Sequence, residues 1–202
     1  MNRLLMTLGF LLAASATICA QARPEETLGV KIGDPRPPLS FRLLSGKPLP
    51  KWSELEGKVV VIDFWASWCS PCLEAIPKMN QFHQQFADRI AFFSVTYEPS
   101  GFVKGFLRDY PIDGMVGIDD ELATFKTFKA WGIPVVFIFD GSGKLVAAVH
   151  PRKLTSTVLS TALQGQIPTV EQAQPWNDPA GAEGYFRKLQ KELQEKFPKS
   201  SP

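Results

Sequence analysis

The sequence predicts an α/β sandwich of three layers: a mixed central sheet, parallel at its centre and antiparallel at its edge, with helices on both faces. Three observations lead there. Apolar, β-branched runs such as Val59 to Phe64 and Ile90 to Thr96 alternate with amphipathic stretches, the pattern of strands joined by helical crossovers. Two further runs, Pro134 to Phe139 and Leu145 to Val149, are joined by Asp140-Gly141-Ser142-Gly143, a turn composition that makes this edge an antiparallel hairpin. Finally, 202 residues with 45% apolar side chains can bury one good core and leave little for a second domain.

Residues 1–22 have the shape of a secretory signal peptide: Arg3, an apolar run from Leu4 to Ala16, and Ala20-Gln21-Ala22 as a small-residue cleavage site. The run is short for a bilayer span. An uncleaved anchor through residues 4–16 and a lipoprotein built on Cys19 stay open as alternatives, although Ile18 is bulky for a lipidation site. The expected location is therefore the periplasm or another extracytoplasmic space, with membrane attachment only if the segment is retained. Cleavage after Ala22 removes Cys19 and leaves Cys69 and Cys72.

Residues 23–38 carry Pro24, Pro35, Pro37 and Pro38 and read as an extended lead-in to a domain at 39–165. Leu39 to Leu44 and Lys47 to Pro50, on either side of Ser45-Gly46, suggest a small hairpin. Ser53 and Glu56 can cap a helical turn that Gly57 ends. Val59 to Phe64, interrupted only by Asp63, reads as a central strand buried on both faces. Ser70-Pro71 opens a helix whose stripe is Cys72, Ile76, Met79, His83 and Phe86, with Pro77 expected to kink it.

After the strand Ile90 to Thr96, Ser100 is a candidate cap for a helix carrying Phe102, Phe106 and Leu107. Met115 to Ile118 is a short strand, and Asp119 and Asp120 are placed to cap a helix through Phe128. Thr155 to Leu163 closes the domain as a helix that stops near Gly165. In residues 166–202, Pro168, Pro175 and Pro179 mark a linker. Tyr185, Phe186, Leu189, Leu193 and Phe197 then form one face of an amphipathic helix, packed on its own domain or available to a partner.

Charge excludes some partners. The 22 basic residues nearly balance the 20 acidic ones, so nothing steers the chain to nucleic acid or an anionic membrane.

The chemistry gathers in Trp65 to Cys72, WASWCSPC. Two thiols separated by two residues, after a buried strand and at a helix start, are placed to form and break a disulfide. As a structural staple the pair would add little, because stabilisation grows with the loop closed. Cys69 at the helix N-terminus would have its thiolate favoured by unpaired N–H groups and the dipole, and so attacks; Cys72, one turn in, is expected to be the less exposed resolving thiol. Ser70 and Pro71 form the active-site turn, and Trp68 offers a flat contact surface. No cofactor beyond the Cys69–Cys72 disulfide is implied. Half a zinc site also reads as two cysteines at this spacing, but further ligands would have to be His83 or His150.

These residues resemble the thioredoxin superfamily, and most of all its exported TlpA-like branch, related to the thiol reductases of cytochrome c maturation. The resemblance rests on VVVIDFWASWCSPC, Pro77, Gly132-Ile133-Pro134 and the hairpin Phe139 to Lys144, together with the lead-in from Gly33-Asp34-Pro35 and the additional segment 99–120. It covers about residues 30–165. It implies a protein thiol-disulfide oxidoreductase, reducing in direction, whose partners are disulfide-containing proteins and an external thiol donor. It also implies a cis Ile133–Pro134 bond that presents Ile133 to an extended substrate, and Asp63 as the base for Cys72. Burial in a strand is itself expected to raise the Asp63 pKa. The chain departs from the branch at Ala75, where relatives often carry glutamate; Glu74 stands one place early, turned about 100° around the helix. A copper-binding module on the same fold and a thiol peroxidase are the alternatives. Cysteine spacing opposes the first, and Ala66 and Ile62, where a peroxidase resembles threonine and proline, oppose the second.

Overall fold

The computed structural model describes residues 28–173 and 179–197. The signal segment, Cys19 and Pro24 lie outside the described residues, as does Pro175 of the linker.

Strand β2 (Val59–Phe64) is the hub of a sheet that has six strands among the described residues. It runs parallel to β3 (Ile90–Thr96) on one side and antiparallel to β5 (Val135–Phe139) on the other. Beyond β3 lies the parallel β4 (Met115–Ile118) and then the antiparallel β1 (Arg42–Leu43); beyond β5 lies β6 (Leu145–Val149), giving the order β1-β4-β3-β2-β5-β6.

All six residues of β2 are buried, so both faces need cover. Val59 and Val61 pack against α1 (Ser70–Phe86) and α4 (Ser156–Leu163) through Met79, Phe82, Phe86, Val158 and Leu159. Val60, Ile62 and Phe64 face α2 (Ser100–Phe106), α3 (Ala123–Phe128) and α5 (Pro179–Lys196). There the Phe64 ring lies 4.8 Å from Phe125, 5.3 Å from Phe128 and 5.7 Å from Phe137, so one aromatic cluster joins sheet to helix.

The expected hairpin at 39–50 is replaced by something else. Gly46, at φ 75°, turns the chain and donates to Leu43 O, but only Arg42–Leu43 forms a strand, paired with Ile118 and Gly117 of β4. Pro48 and Pro50 have no N–H to give a return strand. The expected cap is displaced as well: the 3-10 turn Trp52–Leu55 starts at Lys51, whose N–H donates to Glu54 Oε2 at 2.7 Å. Ser100 lies inside α2, which Pro99 precedes without a side-chain cap. Asp119 accepts from the N–H groups of Ala123 and Phe125, both at 2.9 Å, while Asp120 turns away to Arg42 at 2.7 Å. On α1 the buried stripe includes Phe82, and Ile76 and His83 are only half-buried.

Helix α5 lies on its own domain. Ala182 and Phe186 are buried, and the Gln190 side chain donates to Asp120 O at 2.6 Å and to Tyr97 O at 3.4 Å. At the outer edge of β6, Leu145 exchanges bonds with Gly33 and Asp34, and Ala148 bonds Gln172 Oε1 and the Ala173 N–H.

Candidate active site

The buried strand β2 delivers the chain to the site. Trp65 N–H donates to Val95 O, continuing the ladder for one residue, and Cys69 N–H then closes a turn on Ala66 O at 3.1 Å. Cys69 is the N-cap of α1, in extended conformation, and its carbonyl takes the first helical bonds from Cys72 and Leu73 at 2.9 and 3.1 Å. Pro71 stands in the first turn, where its missing N–H costs nothing. Cys69 and Cys72 are joined in a disulfide, their Cα atoms 5.2 Å apart. Both cysteines are 4% exposed, so burial does not separate an attacking from a resolving thiol as expected; only their places on the helix do. Ser70 and Pro71 are exposed.

Two carboxylates are buried on the strands that frame the site, one within β2 and one just past β3. Asp63, on the α1 face of β2, has Oδ1 buried with no hydrogen-bond partner, and desolvation raises its pKa from 3.8 to about 7. Glu98, which sequence reasoning missed, is fully buried just past the end of β3. It accepts from Ser67 N–H at 2.8 Å, from Ser67 Oγ at 2.7 Å and from Thr96 Oγ1 at 3.3 Å, and so clamps the segment that precedes Cys69. Burial raises its pKa, and the bonds from Ser67 and Thr96 work against that rise. The signal was present: an acid between Tyr97 and Pro99, directly after a buried strand, has to find donors.

Glu74 is exposed and pairs with Arg152 at 2.9 Å, and Ala75 beside it brings no acid to the site.

An aromatic wall rises beside the disulfide. Trp68 is 46% exposed and donates from Nε1 to Tyr97 Oη at 2.7 Å; Phe186 and Tyr185 of α5 meet its ring edge-on at 6.1 and 6.2 Å. Burial raises the Tyr97 pKa, which keeps that hydroxyl neutral. The Ile133–Pro134 bond is cis, and Ile133 lies just outside the β2–β5 ladder, which reaches Val135. Ile133, Trp68 and Trp131 share a groove of about 540 Å3 with Ala182, Tyr185 and Phe186.

The histidines have structural partners. His83 packs on Phe92 at 5.6 Å, and His150 Nδ1 accepts from Arg152 N–H at 3.2 Å. Among the described residues no group of three or more His, Cys, Asp or Glu is placed to hold a metal ion, and no helix is long and apolar enough to cross a membrane.

Residues 31–161 match the family model described as Redoxin. The chain belongs to the Redoxin family. Among curated relatives, the thioredoxin-like protein YneN of Bacillus subtilis is 24% identical over 147 residues, which cover 71% of this chain and 85% of YneN. The thiol-disulfide oxidoreductase ResA of Bacillus cereus is 27% identical over 122 residues, 59% of this chain and 70% of ResA. A crystal structure from Chlorobium tepidum described as thiol:disulfide interchange protein DsbE superposes with a TM-score of 0.57 at 26% identity, covering 69% of this chain and 99% of that one. The expected thioredoxin-like fold is thus the observed one, and with its cysteine pair joined at a helix N-terminus this Redoxin chain is a thiol-disulfide oxidoreductase. Helix α5 lies beyond the matched residues.

Proposed function

We propose that this thiol-disulfide oxidoreductase reduces disulfides in other proteins outside the cytoplasm. The observation that carries the reading is the Cys69–Cys72 disulfide at the start of α1, next to an exposed Trp68 that shares a groove with Ile133 of the cis Ile133–Pro134 bond. The N-terminal pattern of Arg3, an apolar run and Ala20-Gln21-Ala22 supports export, with residues 1–22 removed or kept as an anchor.

In the reduced enzyme the Cys69 thiolate attacks one sulfur of the client disulfide. The client S–S bond breaks as the Cys69–client bond forms, and the departing client sulfur takes up a proton. Cys72 passes its proton to Asp63 and attacks Cys69; the mixed disulfide breaks, the Cys69–Cys72 bond forms, and two electrons have moved to the client. An external dithiol returns the pair to the reduced state. Ile133 pairs with an extended client segment, Trp68 covers it, and Ser70-Pro71 positions the two sulfurs.

The test couples a redox titration to trapping. A two-electron transition of the wild type at or below about -230 mV supports the reductive direction, and one well above it points to an oxidant. Cys72→Ser should accumulate mixed disulfides with client protein, and Cys69→Ser should form none; full turnover by either variant ends the two-thiol mechanism.

A further inference from the structure

We propose that α5 is the specificity wall of this enzyme: with Trp68, Trp131 and Ile133 it forms a side pocket for a bulky apolar side chain, preferably aromatic, that neighbours the client cysteine. The inference rests on the thiol-disulfide reading above and adds to it the class of client sequence that is preferred.

A mixed disulfide on Cys69 tethers a client polypeptide beside Trp68, because Trp68 precedes Cys69 in the chain and is 46% exposed where Cys69 is 4% exposed. The client must therefore lie across the surface that Trp68 and Ile133 share. That surface is not flat. Helix α5 closes one side of it with Ala182, Tyr185 and Phe186 and leaves a groove of about 540 Å3 with no charged residue in its lining.

The small side chain of Ala182 keeps the floor open, and Tyr185, 53% exposed, stands at the mouth edge-on to Trp68. Two aromatic rings presented in this way favour edge-to-face contact with a third. The volume suits one or two side chains of an extended segment. A charged side chain would lose its water there without gaining a partner.

The wall is built to stay in place. Phe186 is 3% exposed and meets Tyr97 at 5.0 Å, Trp131 at 5.6 Å and Phe125 at 5.8 Å, while Gln190 ties the same helix to the Tyr97 and Asp120 carbonyls. Tyr185, the next residue along, is thereby held at a fixed height over the groove.

The test uses two short peptide disulfides that differ only beside one cysteine, Phe in one and Ser in the other, with a small aromatic disulfide as the reference substrate. In the wild type kcat/KM for the Phe peptide should exceed that for the Ser peptide about tenfold or more, the factor that burying one such side chain supports. In Tyr185→Ala the ratio should fall toward one, and in Tyr185→Glu it should fall further. Because each ratio is taken within one protein, a general loss of activity cancels. A ratio near one in the wild type, or an unchanged ratio in both variants, overturns the proposal while leaving the oxidoreductase reading intact. No turnover of any of the three disulfides by the wild type overturns that reading, and the proposal with it.

Discussion

Replacing Asp63 by asparagine removes a charge at constant shape from a strand that is buried along its whole length. The carboxyl has one oxygen without a partner, and desolvation lifts its pKa from 3.8 to about 7. Between those two values the folded protein holds a proton that the unfolded chain has released. A group raised in this way contributes its stability fully below pH 3.8, and loses it as pH rises through about 7. The loss is the shift times 1.36 kcal/mol, so from 3.8 to about 7 it comes to about 4 kcal/mol. Asparagine does not titrate and does not show it.

The assay is urea unfolding of oxidised wild type and Asp63→Asn at several pH values from 4 to 8.5. The stability of the variant relative to wild type should rise by about 4 kcal/mol across that range, or roughly 2 M in urea midpoint for a typical slope. Glu98 and Asp119, whose pKa values burial also raises, act equally in both proteins and cancel. Any constant cost of an unpaired amide shifts the whole difference without changing its slope. A gap that stays the same from pH 4 to 8.5 refutes the reasoning. Disulfide exchange gives the second reading: if Asp63 takes the Cys72 proton, the variant should be about two orders of magnitude slower or more at neutral pH, and should recover as pH approaches the ordinary thiol value of about 8.5.

Glu98→Gln keeps one acceptor oxygen and turns the other into an amide donor, so the Ser67 N–H and hydroxyl can no longer both donate to it, and the change is expected to cost about 1 to 3 kcal/mol in urea unfolding. It should also increase hydrogen exchange at the Ser67 amide; a protected amide there would show that the clamp is not held by Glu98. Phe186→Ala should cost about 3 to 5 kcal/mol by emptying the site between Tyr97, Phe125 and Trp131. Its Trp68 emission should shift to the red, and an unchanged spectrum would mean that α5 does not depend on this anchor.

What the sequence made legible follows from the range of the interactions involved. Strands β2, β3, β5 and β6 are apolar runs bounded by turn residues, and each could be read from its own composition. The return strand at 47–50 failed because β1 pairs with β4, some seventy positions away, and nothing local announces that partner. Asp119 was read as a cap because its donors lie four and six residues on, whereas the Arg42 partner of Asp120 lies 78 residues back. Cys69, Cys72 and Asp63 were visible as chemistry out of place in an apolar context. Glu98 was hidden because its role depends on Ser67, 31 residues earlier, being brought to it by two parallel strands. The apolar face of α5 was legible, but its docking place beside Trp68 was not, since an amphipathic period names a face and not what covers it.

The two margins of the sheet bear on what such an enzyme has to survive. An oxidoreductase of this kind meets polypeptides with exposed backbone, and an open strand edge would recruit them by adding strands instead of releasing them as products. On one margin β1 is two residues long. On the other, the outward groups of Leu145 and Ala148 are already taken by Gly33, Asp34, Gln172 and Ala173. The segments flanking the domain thus act as selvedges: they finish the weave, so that a client can be held by its sulfur and let go again.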